Sequence, residues 1–296
     1  MGKHYVPQQY LRAFANDSAR KLIWVFDKQT GRWSNAAIAK VAQSPHYFSQ
    51  EVEDRLTNLV ENPGNDALSA LRRGEVPTAT QGGDLLSYIA VMMTRVPRKR
   101  MHARGIVPAV VDSVIARTKA EIQSLRVADT EARVVELLAE VDRIETTYRK
   151  EAQSILRDEI EDPFPTEKVF HGIHTMSWRI VEVPPSSRLV TSDNPAFFFS
   201  AYGIGSPESE LTFPVSPTLA LMGSRQGLAG EVLQVRARRQ LAKEINRRMI
   251  VGATRLVFAT SPHSWIKTVS SRDQSPRWTP KSGHQWTPEN RPPPAS

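Results

Sequence analysis

A histidine and a tyrosine stand side by side at positions 4 and 5, with Pro7 and Gln8 close behind. Imidazole titrates near neutrality and offers two nitrogens, so His4 has the chemistry of a general base or a metal ligand. It equally suits a core histidine that bonds a carbonyl and pins the terminus. Far along the chain, Asp193 and Asn194 lie in Thr-Ser-Asp-Asn-Pro (191–195), directly after a strand-like run. A carboxylate at a strand end can hold a metal or activate water. The same residues also fit an Asx-turn, with Asn194 kept extended by Pro195. Glu53 and Glu61 are eight residues apart, about 12 Å of helical rise. That is too far for a shared metal, so only one of them joins His4 and Asp193 on this reading. His171 and His174 stand at i,i+3, a metal pair if helical, but no third ligand follows at a recognisable distance. Arg95 and His102 have the Arg-x6-His spacing of small helical ribonucleases, with Pro97 falling inside it.

The exclusions are sharper. There is no phosphate-binding Gly-rich loop, no G-x-G-x-x-G, no G-x-S-x-G and no H-E-x-x-H. The paired acid with a following E-x-K of one common nuclease core is absent as well. ATP hydrolysis, dinucleotide chemistry and α/β-hydrolase catalysis are therefore not expected. The 296 residues contain no cysteine, which removes disulfides, thiolate metal sites and a cysteine nucleophile together. A reducing interior fits this, and the cytoplasm is the expected location. The first ten residues carry no signal-type apolar segment, and no run approaches the roughly 20 apolar residues of a membrane span. Neither export nor insertion is expected.

Formal charge is +8, from 39 basic against 31 acidic residues, and it is uneven. Five Arg/Lys and His102 lie within 95–104, and six Arg/Lys against the single Glu244 within 236–248. Such clusters can track phosphates by counterion release, or simply be solvated helix faces.

These residues must be positioned by elements that the periodicity outlines. Tyr10, Leu11 and Phe14 have helical spacing after Pro7 and predict a buried N-terminal turn. Leu22, Trp24 and Phe26 alternate, then Asp27–Gly31 turns the chain, which predicts a β-hairpin. Residues 50–74 read as two helical pieces broken at Asn62-Pro63-Gly64. Asp84 reads as the N-cap of a helix with Leu85, Ile89, Met92 and Val96 on one face, and 107–160 as one or two long helices. After 165 come short β-rich runs interrupted by one helix at about 234–250. The expected architecture is α+β, a single domain over 1–270. A mixed β-sheet core contains the hairpin and carries an inserted helical block at about 50–160. A proline-rich tail over 271–296 is expected to be disordered.

The His-Tyr-x-Pro-Gln opening, the hairpin, the later Arg-Val-Pro, Ser-Asp-Asn-Pro and Phe-Pro-Val-Ser-Pro together resemble the family of uncharacterised proteins catalogued as DUF4238. The resemblance spans roughly 3–260 and brings no established activity. Its pattern falls on His4, Tyr5, Pro7, Gln8, Leu11, Phe14, Glu61, Arg95, Pro97, Ser192 through Pro195, and Asn246. So many polar positions imply a site rather than a scaffold. The expectation is a hydrolase of a phosphodiester, nucleotide or nucleic acid, with His4, Asp193 and Glu61 catalytic and Tyr5, Gln8, Arg95, Asn194 and Asn246 holding substrate. A divalent cation such as Mg²⁺ would serve this chemistry, although the residues name no cofactor. The alternative is a non-catalytic sensing or binding module, in bacterial stress or phage-defence physiology, with the motif residues locking the terminus. On the hydrolase reading, a single pocket should hold His4, Tyr5 and Gln8 with Arg95 and with Asp193 or Asn194.

Overall fold

The computed structural model describes residues 2–17, 19–45, 47–124, 131–198 and 203–271. The expected tail, from residue 272 onward, lies outside the described residues. The strands are β1 (Gly2–His4), β2 (Leu22–Asp27), β3 (Arg32–Ala37), β4 (Gln43–Pro45), β5 (Ser177–Glu182), β6 (Thr191–Ser192), β7 (Phe197–Phe198), β8 (Glu210–Ser216), β9 (Leu219–Ser224), β10 (Val232–Arg236) and β11 (Leu256–Ala259). The helices are α1 (Gln8–Leu11), α2 (Gln50–Leu56), α3 (Asn62–Arg72), α4 (Ala79–Thr94), α5 (Pro97–Ser124), α6 (Glu131–Glu161), α7 (Glu167–His174), α8 (Arg239–Gly252) and α9 (Ser264–Ser271). This is the α+β architecture that the periodicity predicts.

The strands do not merge into one sheet. β3-β2-β11-β6 form an antiparallel sheet, β10-β5-β9-β8-β7 a mixed one in which only β10 and β5 run parallel, and β1-β4 a separate ribbon. The β2-β3 hairpin forms where expected. Asp27 Oδ1 accepts from Gln29 N at 2.8 Å, and Gly31 takes φ +67°, a left-handed conformation that glycine adopts without steric cost. A common core unites both large sheets with the helices. Tyr10, Phe14, Leu68, Tyr88, Phe213 and Phe258 belong to one buried cluster. Tyr10, Leu11 and Phe14 are fully buried, so the N-terminal turn is anchored as their spacing predicts. The Tyr10 hydroxyl donates to the Pro214 carbonyl at 2.7 Å, and the Thr191 hydroxyl also lies 2.7 Å from it.

Three helical features differ from expectation. Residues 50–72 are continuously helical rather than two pieces, because a π-helical turn, Thr57–Glu61, joins α2 to α3 and leads into Pro63. Helix α4 starts at Ala79, not after Asp84. Thr78 caps it in a capping box with Gln81, which outweighs the weak helix preference of Gly82 and Gly83. The helices expected over 50–160 also fall into two groups. Those up to Thr94 belong with the sheets, whereas Pro97–Pro163 form a compact unit of their own. That unit is an antiparallel pair, α5 against α6, stitched by Lys119 to Asp142 and Glu145 and by Arg149 to Asp112. Among the described residues, no helix is long and apolar enough to cross a membrane.

Candidate functional site

Strand β1 pairs antiparallel with β4, setting His4 opposite Gln43, and the Tyr5 N–H donates to the Ala42 carbonyl at 2.9 Å. Successive residues of extended chain point to opposite sides. His4 faces a cavity of about 290 Å³, which Lys3, Pro7, Gln8, Gln9, Arg12, Glu53, Glu61 and Arg95 also line. Tyr5 turns away into the core, its ring 5.3 Å from that of Tyr47. Burial pushes the Tyr5 hydroxyl pKa up, and the charge of Asp193 pushes the same way.

Arg95 holds the floor of the cavity. Its side chain is 1% exposed, Nη1 donates to Glu61 Oε1 at 2.5 Å, and Nη2 donates to the His4 carbonyl at 2.6 Å. Thus the C-terminal end of α4 is tied both to the π-turn and to the N-terminal strand. The guanidinium has a structural occupation, and its Nε is buried with no partner.

Two further groups in the cavity have no internal occupation. Nε2 of His4 and Oε1 of Glu53 are buried without a hydrogen-bond partner. Burial lowers the His4 pKa most strongly. The Ala39 backbone, accepting from the ring, opposes this; Arg95 lowers it further and Glu61 raises it. An imidazole that donates through Nδ1 and is neutral carries its lone pair on Nε2. Burial raises the Glu53 pKa, with Arg95 and Lys3 opposing more weakly. Each group is thus driven toward its uncharged form: an acceptor nitrogen on His4 and a donor carboxyl on Glu53. At the rim, Lys3 Nζ donates to Gln50 Oε1 at 2.6 Å, and Arg12 Nη1 donates to Gln9 Oε1 at 3.3 Å.

Regular α-helical spacing, with about 12 Å of rise between Glu53 and Glu61, leaves only one of them for the site. Eight residues at about 100° each overshoot two turns by about 80°, which points Glu53 and Glu61 to different faces. The i→i+5 turn at 57–61 holds more residues per revolution and removes that offset, so both carboxyl groups reach the cavity. Pro63, which supplies no N–H to an α-helical ladder, is the sequence signal that the regular spacing does not hold here.

The Ser-Asp-Asn-Pro residues lie elsewhere. Asp193, Asn194 and Asn246 do not line the cavity, and their polar groups hold main chain. Asp193 Oδ1 accepts from Thr254 N at 2.8 Å, and Oδ2 accepts from Arg255 N at 2.7 Å and Leu256 N at 2.9 Å. Burial raises the Asp193 pKa while these three N–H groups pull it down. Ser192 Oγ accepts from Asn194 N at 3.1 Å, and Asn194 Nδ2 donates to Gly252 O at 3.1 Å. Asn246 takes the Val190 N–H on Oδ1 and donates to Arg188 O, each at 2.9 Å. The turn therefore staples the end of α8 and the start of β11 to β6. The catalytic part expected for Asp193 and the substrate contacts expected for Asn194 and Asn246 meet groups already engaged with backbone.

The two histidines of α7 make no metal centre: His174 Nδ1 lies 2.9 Å from the Phe170 carbonyl, and its ring centre is 4.0 Å from that of Phe170 at a tilt of 33°. Among the described residues, no three His, Asp or Glu side chains are arranged to hold a metal ion. The described residues therefore offer no ready-made all-protein centre for the expected Mg²⁺.

Fold and site together define an α+β protein with a polar N-terminal cavity and a separate stapling turn. The chain belongs to the family described as protein of unknown function (DUF4238), whose model matches residues 3–263. No curated protein and no solved structure matches it.

Proposed function

We propose that this protein hydrolyses a phosphodiester in its N-terminal cavity by paired acid and base chemistry. The observation that carries the reading is that His4 Nε2 and Glu53 Oε1, both buried and without partners, belong to one cavity and are driven to complementary neutral forms. A buried polar atom left unpaired costs about 1–3 kcal/mol, so two in one small cavity call for a ligand that completes them. Neutral His4 takes a proton from the attacking water as its oxygen bonds to phosphorus. The bond from phosphorus to the leaving oxygen breaks, and protonated Glu53 supplies that oxygen with its proton. Lys3, Arg12 and Gln8 supply cations and donors for the phosphoryl oxygens. Arg95 positions His4 through its carbonyl and also offsets phosphate charge.

The pH dependence follows from the two directions. The rate falls at low pH as His4 is protonated, through a pKa below 6.5, and at high pH as Glu53 ionises, through a pKa above 4.5. A bell-shaped profile is expected. The test is hydrolysis of bis(p-nitrophenyl) phosphate and of labelled RNA in EDTA. His4→Gln and Glu53→Gln should each lose at least about 100-fold in kcat/KM with melting unchanged. Wild-type rates in both variants, or an inert wild type, would sink the proposal. The engagement of Asp193, Asn194, Asn246 and Arg95 with main chain favours a second reading, a non-catalytic sensing module. Under that reading the cavity binds phosphate compounds without turnover.

A further inference from the structure

The phosphodiester reading leaves open whether the substrate is a free nucleotide or a polymer, and α8 bears on that choice. We infer that α8 and the residues before it form a docking surface for the phosphate backbone of a nucleic acid, which makes the substrate a polymer. This rests on the reading of the cavity for the word substrate, while the docking surface itself stands on separate observations.

Helix α8 buries Ala242, Ile245, Met249 and Ile250 in the core. Its opposite face presents Arg239, Lys243 and Arg247, all exposed. They are spaced by four, about 6 Å of rise per step, so they stand in a row. Arg236 and Arg238 extend the row before the helix, and the Arg236 side chain is 92% exposed, with Glu182 no nearer than 3.6 Å. Among the described residues, Arg238, Arg239, Lys243 and Arg247 have no carboxylate partner. Glu244, the one acid of the helix, lies 3.5 Å from Arg248, which is itself buried and reaches Glu210 at 3.0 Å. The helix pairs its acid with Arg248 and leaves no carboxylate beside the outer row of cations.

That arrangement works against the stability of the helix. Like charges at i,i+4 repel, and Arg238 and Arg239 sit at a helix N-terminus, where the macrodipole is already positive and a carboxylate would be favoured. Neither cost is offset inside the molecule, so an external polyanion is the partner that completes the row. The choice among polyanions follows from what the row lacks. Its exposed side chains are Arg, Lys and Gln, with no aromatic or aliphatic anchor of the kind that grips a protein partner. An anionic membrane would need the apolar face of the helix, and that face is in the core. A phosphate backbone asks only for spaced cations and hydrogen-bond donors. Without aromatic platforms, binding should be indifferent to base sequence.

The test is fluorescence anisotropy of the full chain with a labelled single-stranded RNA and with a labelled duplex, across a salt series. The comparison is the triple variant Arg239→Gln, Lys243→Gln, Arg247→Gln. Loss of three phosphate contacts should flatten the slope of log K against log salt by about 2 for the single strand and about 2.7 for the duplex. Melting should be unchanged or higher, and turnover of the small diester unchanged. An unaltered slope, or a wild type that binds neither nucleic acid, overturns the inference. So does selective loss of binding to phosphatidylserine vesicles with RNA binding intact. If the variant loses RNA binding while the wild type fails to cleave either the small diester or RNA, the docking surface stands and the reading of the cavity falls.

Discussion

The turn at 192–195 and the cavity behind His4 are both polar and both largely buried, yet they are completed in opposite ways. Around Asp193 the side chains meet backbone groups of Arg188, Val190, Gly252 and Thr254 through Leu256. Around His4 the two Nη groups of Arg95 and Oε1 of Glu61 are matched, while Nε2 of His4, Nε of Arg95 and Oε1 of Glu53 are left over. A polar residue that closes a loop stabilises the fold, whereas one held open at a cost has no structural reason to be polar. The first region is fastening and the second is the proposed site, although the family pattern touches both.

Substitutions should separate the two regions by their effect on melting. Arg95→Ala should cost most, about 3–5 kcal/mol, because it strands Glu61 and frees the His4 strand. A thermal melt should show a fall of about 10 °C or more, with Arg95→Lys recovering only part, since an ammonium does not reproduce the two-pronged geometry. Asp193→Ala should follow, on the order of 3 kcal/mol, from three backbone N–H groups left without an acceptor. A normal melt for Asp193→Ala would erase the distinction drawn here. Asn246→Ala should cost about 1–2 kcal/mol by uncovering one donor and one acceptor. His4→Gln and Glu53→Gln should shift stability by less than about 1 kcal/mol while abolishing turnover; a large loss of stability in either would move the cavity into the fastening class.

The smallest effect is in pH. The Glu53 pKa is raised in the fold, so its favourable contribution is fully present below the ordinary 4.5 and is lost as pH rises through the folded value. His4 has the opposite sign: its contribution is present above 6.5 and is lost as pH falls through its lowered value. Denaturant midpoints should therefore decline less steeply with rising pH in Glu53→Gln than in the wild type.

Local rules made much of this legible. Leu11 and Phe14 anchor the terminus at the spacing that predicts it, and Asp27 with Gly31 closes the hairpin by standard turn chemistry. Nothing local announces that Arg95 meets Glu61, 34 residues away, or that Asp193 accepts from backbone some 60 residues on. Helix α4 starts before the expected Asp84 because the capping box of Thr78 with Gln81 dominates energetically, although Gly82 and Gly83 favour a break. The strands flanking the Ser-Asp-Asn-Pro turn are two residues each, too short for a period to show.

The π-turn at 57–61 amounts to one residue more than an α-helix of the same height would need. Gly64 lies just beyond it, where an added methyl would come within 2.4 Å of the Tyr88 ring, so the contact of α3 with α4 fixes the helix downstream. Removing one residue from the turn would leave that contact in place and let the stretch relax to a plain α-helix. Seven residues at about 100° each fall only about 20° short of two turns, so Glu53 would keep its face while Glu61 stayed on Arg95. The turn thus absorbs a one-residue difference in chain length, and a one-codon deletion there should spare both carboxyl groups.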